Sequence, residues 1–105
     1  MELYTFHMNI EEKDMAGAVY TAGSRLFHFH VGDSNRAAPG MGHIDFQPIL
    51  QALKDIKYAG YVTMELIPPA YNIDAYKTYA DISPYYLDYP GISIAYLKEI
   101  EKNLK

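Results

Sequence analysis

The chain has 105 residues, the size of one small domain, so we expect a single folding unit over residues 1–105. Half of the residues are hydrophobic and 21% are charged, a balance that excludes a disordered chain. The formal net charge is -4 and lysine and arginine do not cluster, which argues against a nucleic-acid partner.

The sequence also lacks cysteine and any long apolar run. Without cysteine there are no disulfides, thiolate metal sites or cysteine nucleophiles. The apolar runs fall well short of the roughly 18 residues of a membrane span. The N-terminus has no basic region followed by an apolar stretch, as a signal peptide would have. These features predict a soluble, cytoplasmic protein with no membrane partner.

A first βα unit is predicted at the N-terminus. The apolar and aromatic run from Leu3 to Met8 is typical of a short strand. Asn9 followed by Glu12 has the spacing of a capping box and predicts a helix from near Ile10. Gly23 would end that helix, whose apolar residues recur at helical spacing: Met15, Ala18, Val19 and Ala22.

A second unit follows, with a strand from Arg25 to Val31 whose apolar and aromatic content predicts cover on both faces. A polar loop spans Gly32 to Gly42. Asp45 can cap the next helix, which should end near Lys57. One apolar stripe runs along that helix: Phe46, Ile49, Leu50, Leu53 and Ile56.

The third predicted strand, Gly60 to Leu66, should stop before Pro68-Pro69. Residues 70–91 lack clean periodicity and are predicted as a long loop with one helical turn around Asp74 to Ala80. From Ile92 the apolar spacing predicts a terminal amphipathic helix.

The order β-α-β-α-β-loop-α predicts α/β architecture with parallel strands and right-handed crossovers. Three such strands with helices on one side leave the other sheet face and two strand edges uncovered. We therefore expect a homo-oligomer, or a partner chain that supplies further strands.

Polar side chains alternate along the second and third strands. His28 and His30 share one face, as do Tyr61, Thr63 and Glu65 on the next strand. His30 and Glu65 lie near the carboxyl ends of their strands, where parallel α/β proteins assemble their sites. Imidazole and carboxylate suit Mn²⁺, Co²⁺, Mg²⁺ or Zn²⁺. A strand histidine can instead be a hydrogen-bonded core residue, whereas a carboxylate in an apolar strand is costly unless it is paired.

Two further residues have open interpretations. Arg36, in the loop after the second strand, could clamp an anionic or hydroxyl-rich substrate or be a solvated loop cation. His7 precedes the predicted helix cap and is either a substrate contact or a packing residue. The tyrosines between positions 71 and 96 indicate packing or an oligomer contact.

Four short runs of the sequence, in this order, are similar to those of a known protein family: residues 5–12 (TFHMNIEE), 28–36 (HFHVGDSNR), 39–46 (PGMGHIDF) and 60–65 (GYVTME). In order and spacing they resemble the sugar (phosphate) isomerase/epimerase family with xylose isomerase-like TIM barrels, especially ketose 3-epimerases. The resemblance implies a partial TIM barrel, in which three parallel βα units are similar to the last three of an eight-stranded barrel.

The resemblance also implies a site and a reaction. It makes His30 a ligand of a divalent metal, Mn, Co or Mg, and Glu65 both a ligand and one of two carboxylates that exchange a proton through an enediolate. It places His7 and Arg36 against substrate oxygens, the substrate being a sugar or sugar phosphate.

The sequence departs from the family pattern at position 4, where Tyr4 stands in place of a metal-binding aspartate. Glu2 lies two residues away, about 6.6 Å along a strand, and is expected not to reach the same metal. The other catalytic glutamate belongs to an earlier strand of the family barrel that is not in this chain, so the isolated chain is predicted to be inactive in ketose epimerisation.

Three hypotheses follow from these observations. The first is the C-terminal part of a sugar epimerase or isomerase that is active when a partner supplies the missing strands. The second, which Tyr4 favours, is a non-catalytic α/β module that self-associates. The third is a relative of metal-dependent abasic-site endonucleases, against which the negative charge argues.

Overall fold

The computed structural model describes residues 1–66 and 79–105; for residues 79–88 it gives only their place in a helix. The elements in chain order are β1 (Glu2–Tyr4), α1 (Thr5–Glu11), α2 (Met15–Ala22), a short 3-10 turn (Gly23–Arg25), β2 (His28–Val31), α3 (Phe46–Asp55), β3 (Val62–Met64) and α4 (Tyr79–Glu101). The predicted alternation of strands and helices is confirmed.

The three strands pair in the order β1-β2-β3, and both pairings are parallel. Tyr4 lies opposite His30, and His30 lies opposite Thr63, so these residues form one row across the sheet. Parallel strands joined through helices are the arrangement of an α/β barrel. The structure is therefore a three-stranded part of such a barrel, as predicted.

The two faces of the sheet differ in polarity and cover. On β2, Phe29 and Val31 are fully buried, while His28 is exposed and His30 partly exposed. The prediction that the strand from Arg25 to Val31 is covered on both faces is wrong. Every second residue of β2 is a histidine, so only the Phe29 face has the apolar side chains that pack against helices.

The core lies between the sheet and the helices. Phe29 of β2 and Val19 of α2 pack in one buried cluster with the apolar stripe of α3, of which Phe46, Ile49 and Leu53 are buried. Tyr96 of α4 packs edge-on against Phe46, with the ring centres 6.2 Å apart. Among the helices that the structure describes, none has both the length and the apolarity of a membrane span.

The first helical region differs from the prediction. β1 ends at Tyr4, and α1 begins at Thr5 rather than near Ile10, so Asn9 lies inside a helix. The Thr5 hydroxyl, fully buried, donates to the carbonyl oxygen of Gly32 at 2.6 Å and accepts from its N–H at 2.9 Å. These side-chain bonds replace the next rung of the strand ladder and allow the chain to turn.

Asp14, and not Asn9, caps the next helix. Its carboxylate accepts a hydrogen bond of 2.9 Å from the N–H of Gly17 in α2. The prediction for α3 is confirmed, since Asp45 accepts from the N–H of Gln47 and the helix ends at Asp55. An aspartate before the first turn satisfies an N–H that has no partner within the helix.

Two other predicted boundaries change. β3 covers Val62–Met64, shorter than the predicted strand from Gly60 to Leu66. α4 begins at Tyr79, so the loop predicted up to position 91 is wrong from that residue onward. The helix was missed because its apolar residues have no clean helical spacing before Ile92. Pro68-Pro69 and most of the predicted turn from Asp74 to Ala80 lie outside the described residues.

Candidate functional site

Glu65 and His30 meet at the carboxyl ends of β3 and β2. The N–H of Glu65 donates to the carbonyl oxygen of Val31 at 3.0 Å and so continues the pairing of β3 with β2. Glu65 Oε1 lies 3.3 Å from His30 Nδ1. The structure therefore brings together His30 and Glu65, the two residues that the sequence predicted near the carboxyl ends of neighbouring strands.

Arg36 joins this pair from the loop after β2. One guanidinium nitrogen lies 3.8 Å from Glu65 Oε2, and the guanidinium carbon lies 4.8 Å from the ring centre of Phe6 and 5.8 Å from that of Tyr4. The Arg36 backbone has φ 62°, in the left-handed region that is unfavourable for an arginine. The stacked cation is thus held beside the carboxylate by both aromatic contacts and backbone conformation.

The loop that carries Arg36 is organised by Asp33, whose side chain is fully buried. Asp33 Oδ1 accepts from the N–H groups of Ser34 at 2.7 Å and Ile44 at 3.0 Å, and Oδ2 accepts from the N–H of Gly40 at 2.8 Å. Three backbone amides satisfy a buried charge. Sequence reasoning missed this role, for which the signal is an aspartate in a Gly-Asp-Ser turn directly after a buried strand.

Tyr4 links β1 to the end of β3. Its hydroxyl donates to the main-chain carbonyl oxygen of Glu65, and its side chain is buried. Burial raises the pKa of the Tyr4 phenol, and Arg36 offsets part of that rise, so the hydroxyl remains a donor at neutral pH. A Cβ at Gly32 would lie 2.8 Å from this hydroxyl, so only glycine leaves room for it.

His7, in α1, lies beside the aromatic residues Tyr4 and Phe6. Its ring is edge-on to Tyr4, with 5.1 Å between ring centres, and it contacts Phe6 at 5.2 Å. The His7 side chain is exposed on α1. It packs against Tyr4 and Phe6 and is exposed, which is compatible with both roles considered for it.

The donors around His30 do not by themselves form a metal site. Glu2 Oε1 lies 3.7 Å from His30 Nε2, whereas Glu65 approaches Nδ1, so the two carboxylates reach the imidazole from different sides. Within residues 1–66 and 79–105, no group of three or more histidine, aspartate or glutamate side chains is placed to hold a metal ion. The metal-binding roles of His30 and Glu65 stay predictions.

Three parallel strands with polar residues gathered at their carboxyl ends define part of a parallel α/β barrel. The chain belongs to the family of xylose isomerase-like TIM barrels, whose family model matches residues 2–81. This confirms the family that the four sequence runs indicated.

The similar proteins include several sugar epimerases. Over 63 residues the chain is 56% identical to a D-psicose 3-epimerase of Ruminiclostridium cellulolyticum, a match that covers 60% of this chain and 22% of the relative. It is 48% identical over 65 residues to an L-ribulose 3-epimerase of Methylomonas sp., covering 62% and 23% of the two chains. The crystal structure of a D-allulose 3-epimerase from Methylomonas sp. superposes with a TM-score of 0.73 at 33% identity, covering 94% of this chain and 36% of the other.

The chain thus matches between a fifth and a quarter of the length of these curated relatives. Residues 2–81, which the family model matches, contain β1, β2 and β3 together with every residue of the site described above.

Proposed function

We propose that this chain supplies one side of the active site of a ketose or sugar-phosphate epimerase or isomerase, with Glu65 as the acid–base group. The observation that supports this most directly is the position of the Glu65 carboxylate, at the carboxyl end of β3 between His30 and Arg36. Its side chain is 46% exposed, so a substrate can reach it from the open face of the sheet.

The proposed reaction is a proton transfer at a carbon next to a carbonyl. The Glu65 carboxylate takes the proton from the substrate carbon, and the C–H bonding electrons pass into the carbonyl group to give an enediolate. Return of a proton to the opposite face of that carbon completes an epimerisation. Arg36 and His7 are proposed to hold substrate oxygens, because both lie at the same mouth as Glu65.

The group that serves the opposite face of the substrate is proposed to lie on strands outside the described residues. The divalent metal that the resemblance implies, Mn²⁺, Co²⁺ or Mg²⁺, would polarise the substrate carbonyl and would need donors besides His30 and Glu65.

Deuterium exchange separates removal of the proton from inversion. In D₂O with D-psicose or its phosphate ester, the chain is expected to exchange the C3 proton without forming the C3 epimer. A single carboxylate removes the proton, exchanges it with the solvent, and returns a deuteron to the same face of C3. NMR measures both outcomes. Epimer formed by the chain alone would contradict the one-sided site. No exchange, even after co-expression with the complementary strands of an epimerase, would contradict the role of Glu65.

A second candidate is a non-catalytic module that associates with a second copy or with a partner chain. It is favoured by exposed apolar side chains, since Tyr61 beside β3 is 89% exposed and Phe27 before β2 is 63% exposed. In the described part of the chain, β1 and β3 are also edge strands that each pair on one side only. Light scattering is expected to show a dimer or a larger assembly, and a stable monomer at micromolar concentration would contradict this.

A further inference from the structure

Both oxygens of the Glu65 carboxylate already face donors of the protein. His30 Nδ1 lies 3.3 Å from Oε1, and the Arg36 guanidinium lies 3.8 Å from Oε2. Arginine keeps its charge at all accessible pH values, so Glu65 has a permanent positive partner.

Arg36 is held in this position rather than free to swing away. Its guanidinium carbon lies 4.8 Å from the ring centre of Phe6 and 5.8 Å from that of Tyr4, so the cation rests on two aromatic rings. The loop behind it is fixed by the three amide hydrogen bonds to Asp33. A divalent ion that approached Glu65 would therefore meet a fixed positive charge at the second oxygen.

The positions of Glu2 and Glu65 around His30 also disfavour one ion bound by all three side chains. A divalent ion needs about four to six ligands, all directed at one point. Glu2 and Glu65 lie beside different nitrogens of the His30 ring, and the lone pairs of those nitrogens diverge. An ion bound to Nδ1 beside Glu65 cannot also bind Glu2.

Tyr4 occupies the place where a third donor would lie. It is the neighbour of His30 in the sheet register, and its hydroxyl donates to the Glu65 main-chain carbonyl. The aromatic ring of Tyr4 also contributes to the surface under the Arg36 guanidinium. One side chain thus fills the space between β1 and β3 and supports the cation.

We propose that in this chain Arg36 as ion-pair partner and His30 as hydrogen-bond partner, and not a divalent metal ion, hold the Glu65 carboxylate, and that Tyr4 maintains this arrangement as a positioning residue. The inference rests on the proposed function in that it concerns the same carboxylate. Metal titration needs no sugar, so the two can fail separately.

The first test titrates the whole chain with Mn²⁺ and Co²⁺ by calorimetry, and follows the visible spectrum of Co²⁺. No saturable site is expected up to millimolar ion. Saturable binding of one ion per chain, lost in both His30→Ala and Glu65→Gln, would overturn the proposal.

The second test compares two substitutions at position 4. Tyr4→Asp adds a carboxylate beside His30 and removes the ring below Arg36, and it is expected to bind Co²⁺ with a dissociation constant at least about tenfold below the millimolar limit expected of the parent. Tyr4→Phe removes only the hydroxyl and should not gain affinity for Co²⁺. Equal affinities for Tyr4→Asp and the parent, or an equal gain in Tyr4→Phe, would overturn the role of Tyr4.

A third measurement does not depend on the folding of Tyr4→Asp. Arg36→Gln, Glu65→Gln and the double variant are compared by urea unfolding. If the two side chains pair, their effects on the folding equilibrium constant should be coupled by about two- to fivefold. Effects that simply multiply would contradict the pairing of Arg36 with Glu65.

Discussion

Replacing Glu65 with glutamine is expected to lower the rate of deuterium exchange at C3 of a ketose by at least about 100-fold. Glutamine has the size of glutamate and can still bond to His30, but its amide cannot accept a proton from carbon. The rate is measured by NMR in D₂O on folded protein. The effect should be this large because the described residues bring no other carboxylate to the same nitrogen of His30.

Glu2→Gln is the matched control for this prediction. Glu2 is also a carboxylate beside His30, but it faces Nε2 on the other side of the ring and is exposed. Its substitution should leave the exchange rate nearly unchanged. An equal loss in both variants would show that the total charge around His30, and not the base at Glu65, controls the exchange.

Replacing Asp33 with alanine is expected to lower the free energy of unfolding by about 3 kcal/mol or more. The substitution removes the acceptors of three backbone N–H groups in a fully buried position. A small domain has a stability of about 5–15 kcal/mol, so the loss is a large share of the total. Urea unfolding followed by circular dichroism measures it.

Asp45→Ala provides the comparison, because Asp45 is an exposed helix cap with one hydrogen bond, to the N–H of Gln47. Its loss should cost about 1 kcal/mol. If Asp33→Ala lowers the free energy of unfolding by no more than Asp45→Ala does, the loop that carries Arg36 does not depend on the buried carboxylate.

Strand periodicity was sufficient to predict that His30 and Glu65 share a sheet face, because alternation is a local property of the backbone. The anchoring contacts could not be read in the same way. Thr5 bonds to Gly32, 27 positions along the chain, and Tyr4 bonds to Glu65, 61 positions along. Such contacts exist only once the parallel register is formed, and the turn of the chain after Tyr4 depends on them.

The aspartates show the same limit from another side. Asp45 was recognised as a cap because the signal lies within three residues of the helix start. Asp33 accepts hydrogen bonds from N–H groups up to 11 positions away, and no local pattern predicts such bonds. In the same loop, sequence analysis selected Arg36 and not Asp33. A local pattern identifies the polar loop, while its internal order comes from a charge enclosed by the folded chain.

The close approach of Tyr4 to Gly32 couples two positions that are far apart in sequence. A methyl group at 32 would lie 2.8 Å from the phenolic oxygen and 3.0 Å from the Glu65 carbonyl oxygen that accepts its hydrogen bond. The aromatic side chain at position 4 therefore requires glycine at position 32. A side chain at 32 would also press on the Glu65 carbonyl, so a shorter residue at position 4 would relieve only one of the two close contacts.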